Sequence, residues 1–268
     1  MSGEQHIYKT DYHLHTWYSD GKAWPEEYIG RALEAGISEI GFSDHLTLTE
    51  EQQDWSIKLS LLDEYIKRIL ELRESSDGLI VRLGLEVDYF PGREEEIYSC
   101  INALPLDYVI GSVHFMGDAS VDLGPEYYEN KDIDRLFEKY FVLVARAASS
   151  GLFDFMAHAD LVRIFRYYPS HNAEALYRQL AAELKKSGVA FEINTNGMNK
   201  PLRDFYPDRR YLHIFSEEGV PVLVNSDAHN PGRLGQHFDE AYRLVRAAGF
   251  TEMATFSERK MFMRPLPL

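Results

Sequence analysis

Cysteine is nearly absent from this sequence, which has only Cys100 among its 268 residues. A disulfide needs two cysteines, so no internal disulfide framework can form, and a single thiol suits a reducing compartment. We therefore expect a cytoplasmic protein. Cys100 lies in "IYSCINAL", an apolar, helix-like stretch in which such a residue most often fills the core.

Long hydrophobic runs are also missing. No stretch approaches the roughly 18 consecutive apolar residues of a transmembrane helix, so we predict no membrane span. The first residues, "MSGEQHIYKTD", have neither the charged region nor the apolar region of a secretory signal. With 45% apolar residues the chain can bury a substantial core, and we predict a single domain over residues 1–268.

Basic residues are outnumbered, with 28 Lys and Arg against 43 Asp and Glu and a net charge of −15. The acids are spread along the chain, which argues against nonspecific binding to nucleic acid or to anionic membranes. Glycine-rich motifs that cradle nucleotides, G-x-G-x-x-G and the Walker type, are absent as well. Because the chain as a whole is negatively charged, binding of an anionic small-molecule substrate would need positive charge concentrated at the site.

What the sequence does contain is a regular alternation of strand-like and helix-like segments. Because strands alternate with helices, we predict a parallel sheet, and seven such units favour an α/β barrel that is closed or nearly closed. A doubly wound open sheet is the alternative. The predicted strands are "YKTDYHLH", "EIGFSDH", "LIVRLGLEVDYF", "DYVIGSVH", "FDFMAHAD", "VAFEINTNG" and "PVLVNSDAH", and helices are predicted at 25–35, 57–74, 133–149, 173–187 and 236–248.

The first predicted strand carries two histidines one residue apart, in "DYHLHTWYSDG". Alternate side chains of a strand share a face, so Asp11, His13 and His15 are expected on one side and Tyr12 and Leu14 on the other. Two neutral imidazoles on one strand face suit a borderline metal ion.

Metal-capable side chains recur where the other predicted strands end. In a parallel α/β barrel these carboxyl ends meet at one rim, which is where chemistry collects. Of the ten histidines, six fall at these ends, and the others are His6, His171, His213 and His237. Unpaired, so many ionisable groups would be costly together, and divalent cations remove that cost. The candidate metal ligands are His13, His15, Asp20, His45, Glu86, His114, His158, Asp227 and His229.

Nine ligands are too many for one four-coordinate ion and suit two or three ions, with a carboxylate such as Glu86 bridging a pair. Zinc, iron and manganese all accept nitrogen and oxygen ligands, and the residue types do not choose between them. Since no cysteine belongs to the set, a structural zinc site is disfavoured.

The ordered motifs resemble those of the polymerase-and-histidinol-phosphatase (PHP) superfamily. They are "DYHLHTWYSDG", "FSDH", "GLEVDY", "GSVHF", "AHADLVR" and "NSDAH", and they extend from residue 11 to residue 229. Within that superfamily, "FEINTNGMNKPLRDFYP" before "VLVNSDAH" resembles the histidinol-phosphate phosphatase branch.

This resemblance implies a distorted barrel of seven strands with a trinuclear metal centre at the carboxyl ends of the strands. It implies hydrolysis of a small phosphomonoester, most specifically L-histidinol phosphate in histidine biosynthesis, by attack of a metal-bridging hydroxide. The implied ligand sets are His13, His15, Glu86 and Asp227 for one ion, Glu86, His114 and His158 for the second, and Asp20, His45 and His229 for the third.

Such a centre suits phosphomonoester hydrolysis, because paired ions lower the pKa of a bridging water and share the charge of phosphoryl oxygens. Glu86 and Asp227 are the predicted catalytic carboxylates, and either Asp227 or a metal-bound water is expected to protonate the leaving alkoxide. Arg163, which follows "HADLV", is predicted to be catalytic and to bind phosphate through charge-assisted contacts. Arg203, Lys200 and Arg233 are further candidates for substrate binding.

Histidinol itself carries an ammonium and an imidazole, which call for carboxylate and aromatic surface. Trp17, Phe115, Asp88 and Glu192 are possible suppliers. Three alternatives stay open: a related phosphoesterase acting on another phosphomonoester or a nucleotide, an amidohydrolase-type barrel, and a noncatalytic metal-binding domain. The amidohydrolase class commonly bridges its ions with a carbamylated strand lysine, whereas the bridging position here holds Glu86.

Overall fold

A curved sheet of parallel strands dominates the computed structural model, which describes residues 8–49 and 53–267. His6 lies outside the described residues, as do 1–7, 50–52 and 268 of the predicted domain, so the single domain over 1–268 stays a prediction. The described strands are β1 (Thr10–Leu14), β2 (Glu39–Phe42), β3 (His45–Leu46), β4 (Ile80–Asp88), β5 (Tyr108–Ser112), β6 (Phe115–Met116), β7 (Ala119–Ser120), β8 (Phe155–Met156), β9 (Ala190–Asn194), β10 (Val222–Asn225), β11 (Glu252–Ser257) and β12 (Lys260–Pro265).

The main sheet runs in the order β1-β2-β4-β5-β8-β9-β10, and β3 pairs with β4 beside it. Its two edges approach each other through the segment that follows β10. The backbone N–H of His15 donates to the carbonyl of Ala228 at 3.0 Å, and the N–H of Ala228 donates to the carbonyl of His13 at 3.0 Å. These bonds nearly close the sheet, which confirms the predicted (β/α)7 TIM-like barrel over a doubly wound open sheet.

The helices cover the outside of the barrel, and their ends follow local signals. The Asp132 side chain caps α4 by accepting from the N–H of Arg135, while α5 and α6 end at Gly188 and Gly219 in the left-handed region that glycine tolerates. The predicted helix at 133–149 is confirmed without a shift, and the others move by up to five residues. The helices are α1 (Glu26–Glu34), α2 (Leu62–Ser75), α3 (Glu94–Ile101), α4 (Ile133–Ser149), α5 (Glu174–Ser187), α6 (Leu212–Glu218) and α7 (Phe238–Ala247).

The amino-terminal end of the barrel is filled with aromatic and aliphatic side chains. Tyr108 packs against Tyr12 and Phe155, and its hydroxyl donates to the carbonyl of Tyr12 at 2.7 Å. The C-terminal hairpin of β11 and β12, absent from the sequence prediction, adds Phe256 to this cluster. Gly41 and Gly84 make room for the Tyr108 ring, because a Cβ at either would lie less than 3 Å from it. Such filling leaves the opposite end for polar side chains.

The strict alternation expected of β1 is broken by a bulge. Asp11 pairs with Ile40 but Leu14 pairs with Phe42, so β1 has one residue more than its partner strand over this span. Asp11 accepts hydrogen bonds from the backbone of Ser226 at 2.9 Å and Gly235 at 3.1 Å and does not join His13 and His15. The prediction of a shared face was therefore wrong for Asp11.

Within the described ranges, helices long and apolar enough to cross a membrane are not found. Cys100 lies in α3, as its apolar pattern suggested, and is partly buried against the core.

Candidate metal centre

Glu86, near the end of β4, occupies the middle of the polar end of the barrel. One carboxylate oxygen, Oε2, lies 3.1 Å from His13 Nε2 on β1 and 3.5 Å from His15 Nε2 just after it. It also lies 2.8 Å from His45 Nδ1 at the start of β3. Three imidazoles, from β1, from the residue that follows it and from β3, thus face a single oxygen atom.

The other oxygen of Glu86, Oε1, faces a different pair of imidazoles. His158, in the loop after β8, places Nε2 at 3.1 Å from it, and His114, after β5, places Nε2 at 3.9 Å. Because its two oxygens address separate groups of nitrogen donors, Glu86 has the placement of a bridging carboxylate. The shortness of β8 helps, since residues beyond Met156 are free to turn inward.

A further group of ligands lies around Asp20, in the loop after β1. One atom from each of His15, Asp20, His45 and His229 can be chosen so that all four lie within 4.8 Å of one another. His229 Nε2 is 3.2 Å from Asp20 Oδ2. Asp227 Oδ1 is 3.3 Å from His15 Nε2 and 3.5 Å from His229 Nδ1, so it connects this group to the one around Glu86. The structure therefore brings all nine predicted ligands together.

Many donor atoms of this cluster are buried and lack a hydrogen-bond partner among the described residues. Leaving a buried polar atom unpaired costs about 1–3 kcal/mol, and more for a charged group. Divalent cations satisfy imidazole nitrogens and carboxylate oxygens together, so the donor set fits bound metal ions. The atoms are His13 Nε2, His15 Nδ1 and Nε2, Asp20 Oδ1, His45 Nδ1, Glu86 Oε1 and Oε2, and His158 Nδ1.

The electrostatics of the cluster combine an ionised carboxylate with imidazoles in different protonation states. Burial, helped by the neighbouring His45 and His229, lowers the pKa of His15 to about 3, so this ring is neutral and can donate an electron pair. Burial alone would raise the pKa of Glu86, but the adjacent His45 and His13 rings outweigh it and hold that pKa well below its ordinary value. The same carboxylate outweighs the effect of burial on His45 and raises the pKa of that ring to about 9, so metal binding beside Glu86 would release a proton from the ring.

A second layer of carboxylates orients the ligands. Glu192 on β9 lies 2.9 Å from His13 Nδ1 and accepts hydrogen bonds from the side-chain amides of Asn194 at 2.7 Å and Asn225 at 2.8 Å. Asp88 lies 2.8 Å from His114 Nδ1. These contacts fix each ring so that Nε2 points at Glu86. Glu192 and Asp88, considered above for the substrate, are therefore already engaged with ligands.

A cavity of about 340 Å³ opens onto this centre. Trp55 stacks in parallel on Phe115 with ring centroids 6.1 Å apart, and these rings form one wall. Asp122 and Lys200 add one charge of each sign. The full lining is Asp20, His45, Gln53, Trp55, His114, Phe115, Ser120, Asp122, Leu123, His158, Leu161, Ile164, Lys200, Tyr206, Asp227 and His229.

The four predicted substrate-binding cations differ in their placement. Lys200 lines the cavity, whereas Arg203 and Arg233 are exposed and outside its lining. Arg163 is buried, donating from Nε to Asp160 at 2.6 Å and from Nη2 to the Phe205 carbonyl at 2.8 Å. Substrate contact by these arginines stays a prediction, and the partners of Arg163 favour a role in holding the protein itself.

Several residues of the cavity lining were not found from the sequence, among them Trp55, Asp122 and Tyr206. Trp55 and Asp122 lie in loops without periodicity, and nothing local distinguishes them from surface residues. Tyr206 lies within the motif "RDFYP", but the pattern there does not show which side chain faces the site. Of the aromatic candidates, Phe115 is in the lining, while Trp17 is exposed and contacts Lys22.

Fold and site together define an α/β barrel that collects imidazoles and carboxylates for metal ions at the carboxyl ends of its strands. The PHP domain family matches residues 11–196, and the chain belongs to this family.

Relatives of known description agree with this assignment. The chain is 37% identical to a "probable histidinol-phosphatase" of Deinococcus radiodurans, over 94% of this chain and 97% of that protein. It is 29% identical to the histidinol-phosphatase of Lactococcus lactis, over 94% and 96% of the two chains. A crystal structure of histidinol phosphate phosphatase from Lactococcus lactis, complexed with zinc, L-histidinol and phosphate, superposes with a TM-score of 0.83 and 28% identity, covering 95% of this chain and 98% of that one.

Proposed function

We propose that this chain is a metal-dependent phosphomonoesterase that hydrolyses L-histidinol phosphate to L-histidinol and phosphate. The observation that carries the proposal is the bridging placement of Glu86 between two groups of imidazoles, some of which line a cavity. The similarity to histidinol-phosphatases over nearly the whole chain supports the choice of substrate.

The ligands are proposed to hold two or three divalent ions. The sets are those that the PHP resemblance implied, and the distances around Glu86 and Asp20 are consistent with them. Zinc, iron and manganese all suit the donors, and the zinc in the Lactococcus structure supports zinc first. When bound, such ions supply a nucleophilic hydroxide near neutral pH and stabilise negative charge on phosphoryl oxygens.

The proton in this reaction is assigned to Asp227. The amides of Asn194 and Asn196 donate to its Oδ2 at 3.1 Å and 3.3 Å, and these bonds favour the ionised carboxylate. The ionised carboxylate is then able to accept the proton of the attacking water and to return it to the leaving alkoxide, alone or with a metal-bound water. Its Oδ1 lies 3.3 Å from His15 Nε2 and stays within the candidate ligand set.

Substrate orientation is assigned to the charged and the aromatic side chains of the cavity lining. The chain as a whole is negatively charged, so the positive charge of Lys200 in the cavity lining would attract the phosphate. The Trp55 and Phe115 rings offer a stacking surface to the histidinol imidazole, and Asp122 in the same lining offers a carboxylate to its ammonium. Cavities that bind small molecules combine apolar walls with a few charged groups in this way.

The test is phosphate release by gently purified protein, with metal content measured by elemental analysis. We expect more than one ion per chain, a strong preference for histidinol phosphate over nucleoside monophosphates and p-nitrophenyl phosphate, and loss of turnover to background after chelation, restored by adding metal. Full turnover with one ion or fewer per chain would overturn the polynuclear centre. A preference for another phosphomonoester would overturn the substrate, and no phosphate release from any of them would overturn the phosphatase.

A further inference from the structure

Tyr206 belongs to the cavity lining, and its buried hydroxyl has no hydrogen-bond partner in the part of the chain that the structure describes. The whole side chain is only 2% exposed, and its ring lies 6.2 Å from the ring of the ligand His158. Keeping a buried phenol unpaired is costly, which suggests that a molecule in the cavity completes it.

The backbone at Tyr206 is held in place from several directions. Its N–H donates to the Asn194 carbonyl at 3.1 Å, and its carbonyl accepts from the Asn194 N–H at 2.8 Å. Asn194 ends β9 and also binds Asp227, so Tyr206 is tied directly to the metal end of the barrel.

The buried pair of Arg163 and Asp160 holds the chain on both sides of Tyr206. Arg163 donates to the carbonyl of Phe205, and Asp160 accepts from the N–H of Asp208 at 2.8 Å. The Arg163 guanidinium also lies 5.8 Å from the centre of the Tyr206 ring. Arg163 therefore reaches the site through Tyr206.

The position of Tyr206 within the cavity selects the part of the substrate that it meets. Trp55 lies against His45 and His114, with ring centroids 5.1 Å and 6.0 Å away, whereas Tyr206 lies beside His158. Tyr206 and Lys200 belong to the same segment between β9 and α6 and line the same cavity. A phenol O–H and an ammonium are both donors, so this wall suits an anion.

We propose that the Tyr206 hydroxyl donates a hydrogen bond to a phosphoryl oxygen of the substrate, and that Arg163 is a positioning residue that acts through Tyr206. This inference rests on the proposed phosphatase function. It does not depend on the leaving group, so it applies equally to phosphomonoesters other than histidinol phosphate.

The test compares Tyr206→Phe with Tyr242→Phe in the metal-loaded protein. Tyr242 on α7 is a matched control, because its hydroxyl is also buried without a partner among the described residues but lies outside the cavity lining. We expect Tyr206→Phe to weaken binding of inorganic phosphate and to lower kcat/KM by roughly 10- to 100-fold, the loss typical of a hydrogen bond to a charged group. Metal content should not change, and Tyr242→Phe should match the wild type.

Arg163→Lys separates positioning from folding. If Arg163 acts through Tyr206, Arg163→Lys as a single variant should weaken phosphate binding. It should cause no further loss of affinity when it is combined with Tyr206→Phe. A purely structural arginine would lower Tm and leave phosphate affinity unchanged, which would overturn its positioning role. Unaltered phosphate affinity in Tyr206→Phe would overturn the contact itself. A wild-type protein that binds no phosphate would instead overturn the proposed function.

Discussion

The two ends of the barrel both bury large side chains but differ in how the polar atoms of those side chains are satisfied. At the amino-terminal end, Tyr108, Tyr12 and Phe256 pack ring against ring, and the Tyr108 hydroxyl has backbone acceptors. At the carboxyl end, Glu86 and His15 are equally buried but their polar atoms lack hydrogen-bond partners within the described chain. One end is complete by itself, and the other is built to be completed by ions.

This difference shows where the barrel obtains stability and where it holds function. Burial of aromatic rings stabilises the fold by roughly 1.5–3 kcal/mol for each large side chain removed from water. Burying clustered histidines and carboxylates destabilises the fold, because the free-energy cost of removing them from water is offset only when metal ions bind. Variants at the two ends should therefore separate stability from metal binding.

The largest effect is expected from Glu86→Gln, compared with Glu39→Gln at the opposite end. If Glu86 bridges two metal ions as proposed, its loss should remove metal and lower turnover by about a thousandfold or more. Glu39, at the start of β2, is also buried but pairs with Arg82 at 2.5 Å, so its variant should lose stability while retaining metal and kcat. Elemental analysis, kinetics and thermal melts distinguish them. Full metal occupancy and wild-type turnover in Glu86→Gln would contradict the bridge.

A smaller effect, on stability alone, is expected from Phe256→Ala. The ring stacks on Phe155 at 5.6 Å inside the barrel, and truncating such a residue typically costs about 3–5 kcal/mol. Phe262→Ala on the same hairpin is the control, because Phe262 is 51% exposed. Denaturant unfolding should show the difference while KM stays constant in both. Loss of metal from Phe256→Ala at low temperature would show that the two ends are coupled.

The smallest effect is expected from Lys200→Ala, which tests the charge of the cavity. Removing one charge-assisted contact should raise KM for histidinol phosphate by about 10- to 100-fold, with metal content unchanged. Lys185→Ala on α5 removes an exposed lysine that bonds the Gly219 carbonyl, and it should leave KM unaltered. Equal KM values for the two variants would show that Lys200 does not meet the phosphate. Raising the salt concentration should weaken the Lys200 effect only slightly, since the lysine is partly buried.

The positions of the metal ligands could be predicted because parallel strands place their carboxyl ends at one rim. His114 follows β5, His158 follows β8 and Asp227 follows β10, so the strand pattern alone assembled them. The C-terminal hairpin of β11 and β12 was not predicted, because its strands pair antiparallel and lie outside the repeating strand–helix unit on which the prediction was based.

What the sequence by itself determined is the barrel and the set of candidate metal ligands at one end of it, since both follow from periodicity and from residue types at strand ends. Tertiary structure alone decided the roles of side chains whose partners are distant in sequence. The bulge turns Asp11 toward Ser226, 215 residues away, and Arg163 bonds the carbonyl of Phe205, 42 residues away. The physical reason is that strand periodicity is a local property of the backbone, whereas a charged side chain takes whichever partner the folded chain brings within hydrogen-bonding distance.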